Sequence, residues 1–219
     1  MFPYTSAGPI VRYTDIETQL KQRTINISKF GTGAELFVKG LAKKVLLADN
    51  LSVLYSSICG HPQMSVFTSW LGILAYTMQL YFDFSGYSDM AIGLGKMLGF
   101  DFNKNFDYPY ISTSVSEFWR RWHISLGSWF RDYIYIPLGG NRVSTLKHIR
   151  NILVVWALTG LWHGASWNFV LWGVYYGLFL LLEKFVLQKY LKKIPSWLCT
   201  VYTLSLIHIS EPTRLALIS

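Results

Sequence analysis

The stretch NILVVWALTGLWHGASWNFVLWGVYYGLFLLL, residues 151–182, runs from Arg150 to Glu183 without one Asp, Glu, Lys or Arg. As a single helix it would be about 48 Å long, against about 30 Å of bilayer hydrocarbon. Gly160, Gly164, Ser166 and Asn168 near its middle point to a bend or break. One ionisable group, His163, sits at that break, where the sequence places it between two helical pieces and inside the protein rather than facing lipid. Intramembrane ionisable groups are costly and mark function more often than not.

The rest of the chain has the same character. Apolar residues make up 52% and charged residues 15%, a profile that indicates a membrane protein. The net charge of +8 is gathered in short blocks at residues 39–44, 142–150 and 184–193, between apolar runs. That pattern fits loop and interface charges and excludes a nucleic-acid footprint spread along one face. The three blocks compete for the cytoplasmic side, so the topology stays open. Cys59 and Cys199 both lie in apolar stretches, which indicates neither a disulfide framework nor a cysteine metal site.

Residues 1–32, with Pro3, Gly8 and Pro9, read as an extended or turning interfacial segment. A helix is expected over 33–59, entering the membrane obliquely from its lysines, followed by a Gly-His-Pro break at 60–62. Residues 66–84 are long enough to span, and 87–100 form a further short, glycine-rich helical stretch carrying Asp89 and Lys96. SVSEFWRRWHISLGSWF, residues 114–130, fits one helix capped by Ser114 or Ser116, in a re-entrant or interfacial position. Trp119, Trp122 and Trp129 would then sit in the headgroup belt or line a cavity. Trp197 begins another apolar run. The expected fold class is all-α: a multi-pass transmembrane helical protein with re-entrant or interfacial helices.

Five histidines are present. His61 and His148 read as loop residues. A neutral imidazole at His163 can accept a proton from a substrate hydroxyl while its second nitrogen is held by a neighbour. It can equally bridge two helices by hydrogen bonds, and residue chemistry leaves both readings open. His123 follows Arg120 and Arg121 within one turn, an electropositive setting suited to a phosphate or an anionic polymer, although a solvated basic helix accounts for it as well. The pair suggests one base and one group that positions substrate or stabilises an oxyanion. Asp83, Asp89, Asp101 and Asp107 are spaced irregularly, which suits pairing with Lys or Arg near the interface better than a metal site. Nucleotide-binding, zinc-protease and serine-hydrolase motifs are missing.

FPYTSAGPIVRY (2–13), QLYFDFSGYSDMAIGLGKMLGF (79–100), NFDYPYISTSVSEFWRRWHISLGSWFRDYIYIPLGGNR (105–142) and LTGLWHGASWNFVLWG (158–173) resemble the membrane-bound O-acyltransferase family, most of all its bacterial alginate O-acetyltransferase branch. The resemblance implies a multi-pass enzyme of the bacterial inner membrane that moves an acyl group onto a hydroxyl of a cell-surface polysaccharide such as alginate, or onto a partner that completes the transfer. His163 matches the family's membrane histidine, the base or acyl-transfer residue, and His123 matches its second motif histidine. The implied donor is an acyl thioester, acetyl-CoA or an acylated carrier protein, with no bound cofactor or metal. Expected partners are membrane lipid, periplasmic or extracellular transferases and the polysaccharide, with no nucleic acid. D-alanyl transfer to teichoic acid is the alternative within the family. A transporter or scaffold, with His163 as a relay or packing residue, is the alternative outside it. Residues 1–203 read as a partial domain of this family, and 204–219, containing LSLIHISEPTR, as a sequencing-adapter translation in which His208 carries no function.

Overall fold

The computed structural model describes residues 8–61 and 65–209. The start of the FPYTSAGPI motif, Pro62 and the end of the 204–219 segment from Ser210 lie outside these residues. The chain divides into two compact units, Met1–Asn105 and Phe106–Ser219. Every described element is helical, as expected.

In the first unit, α1 (Tyr13–Gln22) precedes α2 (Ile27–Ala42), which begins where the Asn26 side chain accepts the Lys29 N–H at 2.7 Å. The described part of the segment expected to be extended or turning, residues 8–32, is therefore largely helical, with a break at residues 23–26. α2 continues through a π-helical turn, Lys43–Ala48, into α3 (Asp49–Cys59). α4 (Val66–Met97) starts at Ser65, whose hydroxyl accepts the Thr68 N–H at 3.1 Å. Residues 66–84 and 87–100, read as two stretches, are thus one helix as far as Met97.

The glycines of α4 do not break it because they are packing positions. A Cβ on Gly33 would lie 2.6 Å from the Gly93 carbonyl oxygen, and one on Gly86 would lie 2.7 Å from that of Gly40. These pairs descend along α4 as they ascend along α2, so the two helices are antiparallel. Small residues at such crossings let backbones approach where lipid supplies no hydrophobic drive. Beside the seam, Lys43 pairs with Asp89 at 2.6 Å and Lys44 with Asp83 at 2.8 Å, while Lys29 meets Asp101 at 2.6 Å.

The second unit holds α5 (Val115–Arg121), α6 (Ile124–Phe130), a π-helical turn (Arg131–Tyr135), α7 (Thr145–His163) and α8 (Trp167–Leu182). A second π-helical turn, Glu183–Leu187, joins α8 to α9 (Gln188–Leu191), and α10 spans Ser196–Ile209. Residues 204–209 of the segment set apart by sequence belong to α10. The core is Val115, Phe118, Trp172, Tyr176 and Ile207. Trp119 and Trp122 pack against this core rather than forming a belt or lining a cavity. Trp129 meets Phe130 edge-on and Tyr133 at a tilt instead.

α7 and α8 also meet at glycines. A Cβ on Gly160 would collide with the backbone of Phe169, and one on Gly173 with the backbone of Trp156. Among the described residues, one helical stretch, Trp167–Leu191, is long and apolar enough to cross a membrane. The stretch 66–84, expected to span, belongs to a helix that also carries Asp83, Asp89 and Lys96.

Gly40→Val and Gly93→Val would each force α2 and α4 apart. Each is expected to lower the yield of monodisperse full-length protein severalfold in size-exclusion profiles of detergent extracts. Gly31→Ala, where a Cβ meets nothing within 4 Å, should leave the profile unchanged.

Candidate active site

His163 is the last residue of α7, and Gly164 follows in an extended conformation with φ 165°. Ser166 then caps α8, its hydroxyl accepting the Asn168 N–H at 3.3 Å. The break expected near residues 160–168 is therefore present, and the structure shows its cause. A Cβ at residue 164 would lie 2.6 Å from the Phe169 ring, so glycine lets the chain turn this closely over α8 without displacing that ring.

The imidazole of His163 stands edge-on to Trp172, with centroids 4.9 Å apart, and beside Trp162 at 4.9 Å. Contrary to expectation, His163 is exposed. Trp162, Phe169 and Trp172 flank the ring without enclosing it.

His123 is the buried partner, at 8% exposure. Its ring lies 6.1 Å from Trp162, so Trp162 contacts both imidazoles. The expected single helix over 114–130 does not form. It breaks at His123, which takes a left-handed conformation with φ +47° between α5 and α6. A left-handed residue with a Cβ costs roughly 1–2 kcal/mol, a cost typically stored where side-chain placement matters. α5 and α6 have seven residues each, too short to cross a bilayer. Burial, reinforced by the nearby His163, pushes the His123 imidazole down to about 3, so it is neutral at physiological pH. Ser125 Oγ lies 3.4 Å from its Nδ1.

Neutrality changes the electrostatic reading. Arg121 does not form an open cationic site with His123. Its guanidinium donates to Glu117 Oε1 at 2.8 and 3.0 Å and to the Asp107 carbonyl at 3.0 Å. Its charge is spent holding the end of α5, while Arg120 is exposed. Asp107 lies 3.8 Å from Arg121, and with Asp83, Asp89 and Asp101 already paired, the expected pairing holds for all four aspartates.

Several residues that the sequence left unmarked support the site. His148, read as a loop residue, is buried on α7, its Nε2 lying 3.0 Å from the Tyr135 hydroxyl and 3.1 Å from Lys184 Nζ. Asn151, fully buried, donates from Nδ2 to the carbonyls of Leu138 and Gly140, which clasps the Pro-Leu-Gly-Gly turn. Glu183 binds the start of α5. The indole N–H groups of Trp119 and Trp172 are buried without a hydrogen-bond partner among the described residues, the latter on the ring that faces His163.

The model of the membrane-bound O-acyltransferase family matches residues 1–198. The chain belongs to this family. It is accordingly a membrane protein, as the run over residues 151–182 first suggested. The chain is 51% identical over 184 residues to "Probable alginate O-acetylase AlgI" of Azotobacter vinelandii, covering 84% of the chain and 37% of that relative. It is 39% identical over 211 residues to a peptidoglycan O-acetyltransferase of Helicobacter pylori, covering 91% of the chain and 40% of the relative. A teichoic acid D-alanyltransferase of Streptococcus thermophilus is 35% identical over 131 residues, with 54% of the chain and 31% of the relative covered. The chain thus spans well under half the length of these membrane-bound O-acyltransferases.

The left-handed backbone at His123 yields a stability ordering. Glycine at this position relieves the Cβ clash that alanine retains. His123→Gly is therefore expected to be more stable than His123→Ala by about 1 kcal/mol in thermal melts of the detergent-solubilised full-length protein. Equal melting temperatures would show that the left-handed conformation carries no cost.

Proposed function

We propose that this chain carries the reaction centre of an O-acetyltransferase that acetylates hydroxyls of a cell-surface polysaccharide of the alginate type. The observation that carries the reading is the apposition of His163 and the buried, neutral His123 across Trp162, within a chain 51% identical to an alginate O-acetylase over 184 residues.

In the proposed chemistry, an unprotonated His163 nitrogen accepts the proton of an acceptor hydroxyl as its oxygen attacks the thioester carbonyl. The tetrahedral oxyanion collapses, the C–S bond breaks and the thiolate leaves. The proton held by His163 passes to that thiolate, giving an O-acetyl ester and a free thiol. His123, neutral and fixed by burial, supplies a hydrogen bond that orients the acceptor or steadies the oxyanion. The donor is an acetyl thioester, acetyl-CoA or an acylated carrier protein. The acceptor is the polysaccharide itself or a periplasmic or extracellular transferase that delivers the group to it. In this reading the protein is multi-pass in the bacterial inner membrane, so that donor and acceptor reach His163 from opposite faces.

D-alanyl transfer to teichoic acid is the second reading within the family. It is favoured less, because identity to teichoic acid D-alanyltransferases is lower, 35% and 29% against 51%. A transporter or scaffold would leave the paired histidines without chemistry.

Purified full-length protein given a radiolabelled acetyl thioester and an oligosaccharide acceptor or partner transferase is expected to produce alkali-labile acetyl esters. A D-alanyl thioester should give at least tenfold less product. Preferential D-alanyl transfer, or transport without transfer, would overturn the assignment.

A further inference from the structure

Glu183 is 3% exposed, and the described partners of its carboxylate are amides and a hydroxyl. One oxygen accepts the Val115 N–H at 2.7 Å. The other accepts the Ser116 N–H at 3.0 Å and the Ser116 hydroxyl at 3.0 Å. The Ser114 hydroxyl takes the next amide, that of Glu117, at 3.0 Å. The first three N–H groups of α5, which the helix cannot satisfy itself, are thereby all paired. Two of them are paired by a residue 67 and 68 positions away.

That contact joins the two parts of the proposed site. α8 begins beside His163 and continues without interruption through Glu183 to Leu191. At about 1.5 Å per residue, Glu183 lies about 16 Å along this rod from Trp172, the ring against His163. α5 starts at Glu183 and runs about 12 Å back to His123, which meets Trp162. Midway, Trp119 of α5 packs edge-on against Trp172 and Tyr176 of α8, at 5.8 and 4.9 Å. A seven-residue helix has little stability of its own, so its placement depends on such external anchors.

We infer that Glu183 is a positioning residue for acyl transfer: by fixing the first turn of α5 on the α8 rod, it sets where His123 stands relative to His163. The inference rests on the acyltransferase reading above. It adds a residue that touches neither donor nor acceptor and acts through α5. Misplacing a catalytic group by about 1 Å can cost about 100-fold in rate. Because Glu183 acts on geometry and not on donor binding, its loss falls on kcat.

The test is steady-state acetyl transfer by full-length wild-type, Glu183→Ala and Glu183→Gln proteins, with the membrane content of each measured. Glu183→Ala is expected to lower kcat tenfold or more while the KM for the acetyl thioester stays within about threefold. Glu183→Gln, whose carbonyl oxygen still accepts one amide, should recover kcat only in part, to between about twofold and fivefold below wild type. Should Glu183→Ala fail to accumulate, Glu183→Gln decides the matter: a severalfold fall in kcat at unchanged KM supports the positioning role. Wild-type kcat in either variant, or a loss expressed in KM, overturns it while leaving the acyltransferase reading intact. A wild-type protein that transfers no acetyl group removes both.

Discussion

A helix that stops in surroundings poor in water leaves amide groups that solvent cannot pair, and each unpaired group costs several kcal/mol. This chain stops and restarts its helices repeatedly, and side chains close the restarts at α2, α4, α5 and α8. Asn26, Ser65, Ser114 and Ser166 each accept an amide from the turn that follows. At α5 the local cap is supplemented from a distance by Glu183. The breaks matter because the chemistry sits on them. His163 ends α7, and His123 lies between α5 and α6 in a conformation that an uninterrupted helix could not adopt.

The second requirement is close approach of the helices themselves. Glycines at 33, 40, 86 and 93 seat α2 against α4, and those at 160 and 173 seat α7 against α8. In each pair a methyl group would meet backbone, which cannot yield as a flexible side chain can. The aromatic residues then fill the space around α5, where Trp119 touches Trp156, Trp172 and Tyr176. Between them, the caps fix the ends of the helices, the glycines fix their separation, and the indoles fix the placement of the short helix that leads to His123.

Much of this was legible from residue types. The absence of charge over residues 151–182, interrupted by Gly164 and Ser166, gave the break and placed His163 on it. Ser114 was readable as a cap because a hydroxyl ahead of a helical pattern has a local partner, and the aspartates were readable as partners for Lys and Arg. What escaped were features set by distant contacts. FWRRWHISLGSW contains no residue that must end a helix at His123, so the left-handed turn emerges only when α5 packs on α8. The glycines of the 87–100 stretch were readable as a sign of packing against protein, but their partners on α2 were not, because those lie more than forty residues away. Glu183 looked like a charge closing an apolar run, and nothing in the sequence pairs it with Val115 and Ser116. The exposure of His163 was missed because an apolar neighbourhood in sequence does not determine which faces neighbouring helices cover.

The helix break after α7 matters to the proposed reaction because it presents His163 as a base. The most direct measurement of that role is the rate of acetyl transfer by full-length His163→Ala at saturating donor, normalised to the amount of protein in the membrane. General-base catalysis contributes about 100- to 10,000-fold, so a loss of at least 100-fold is expected at unchanged protein content. A variant that accumulates normally and transfers acetyl groups within a few-fold of the wild-type rate would contradict the role assigned to His163.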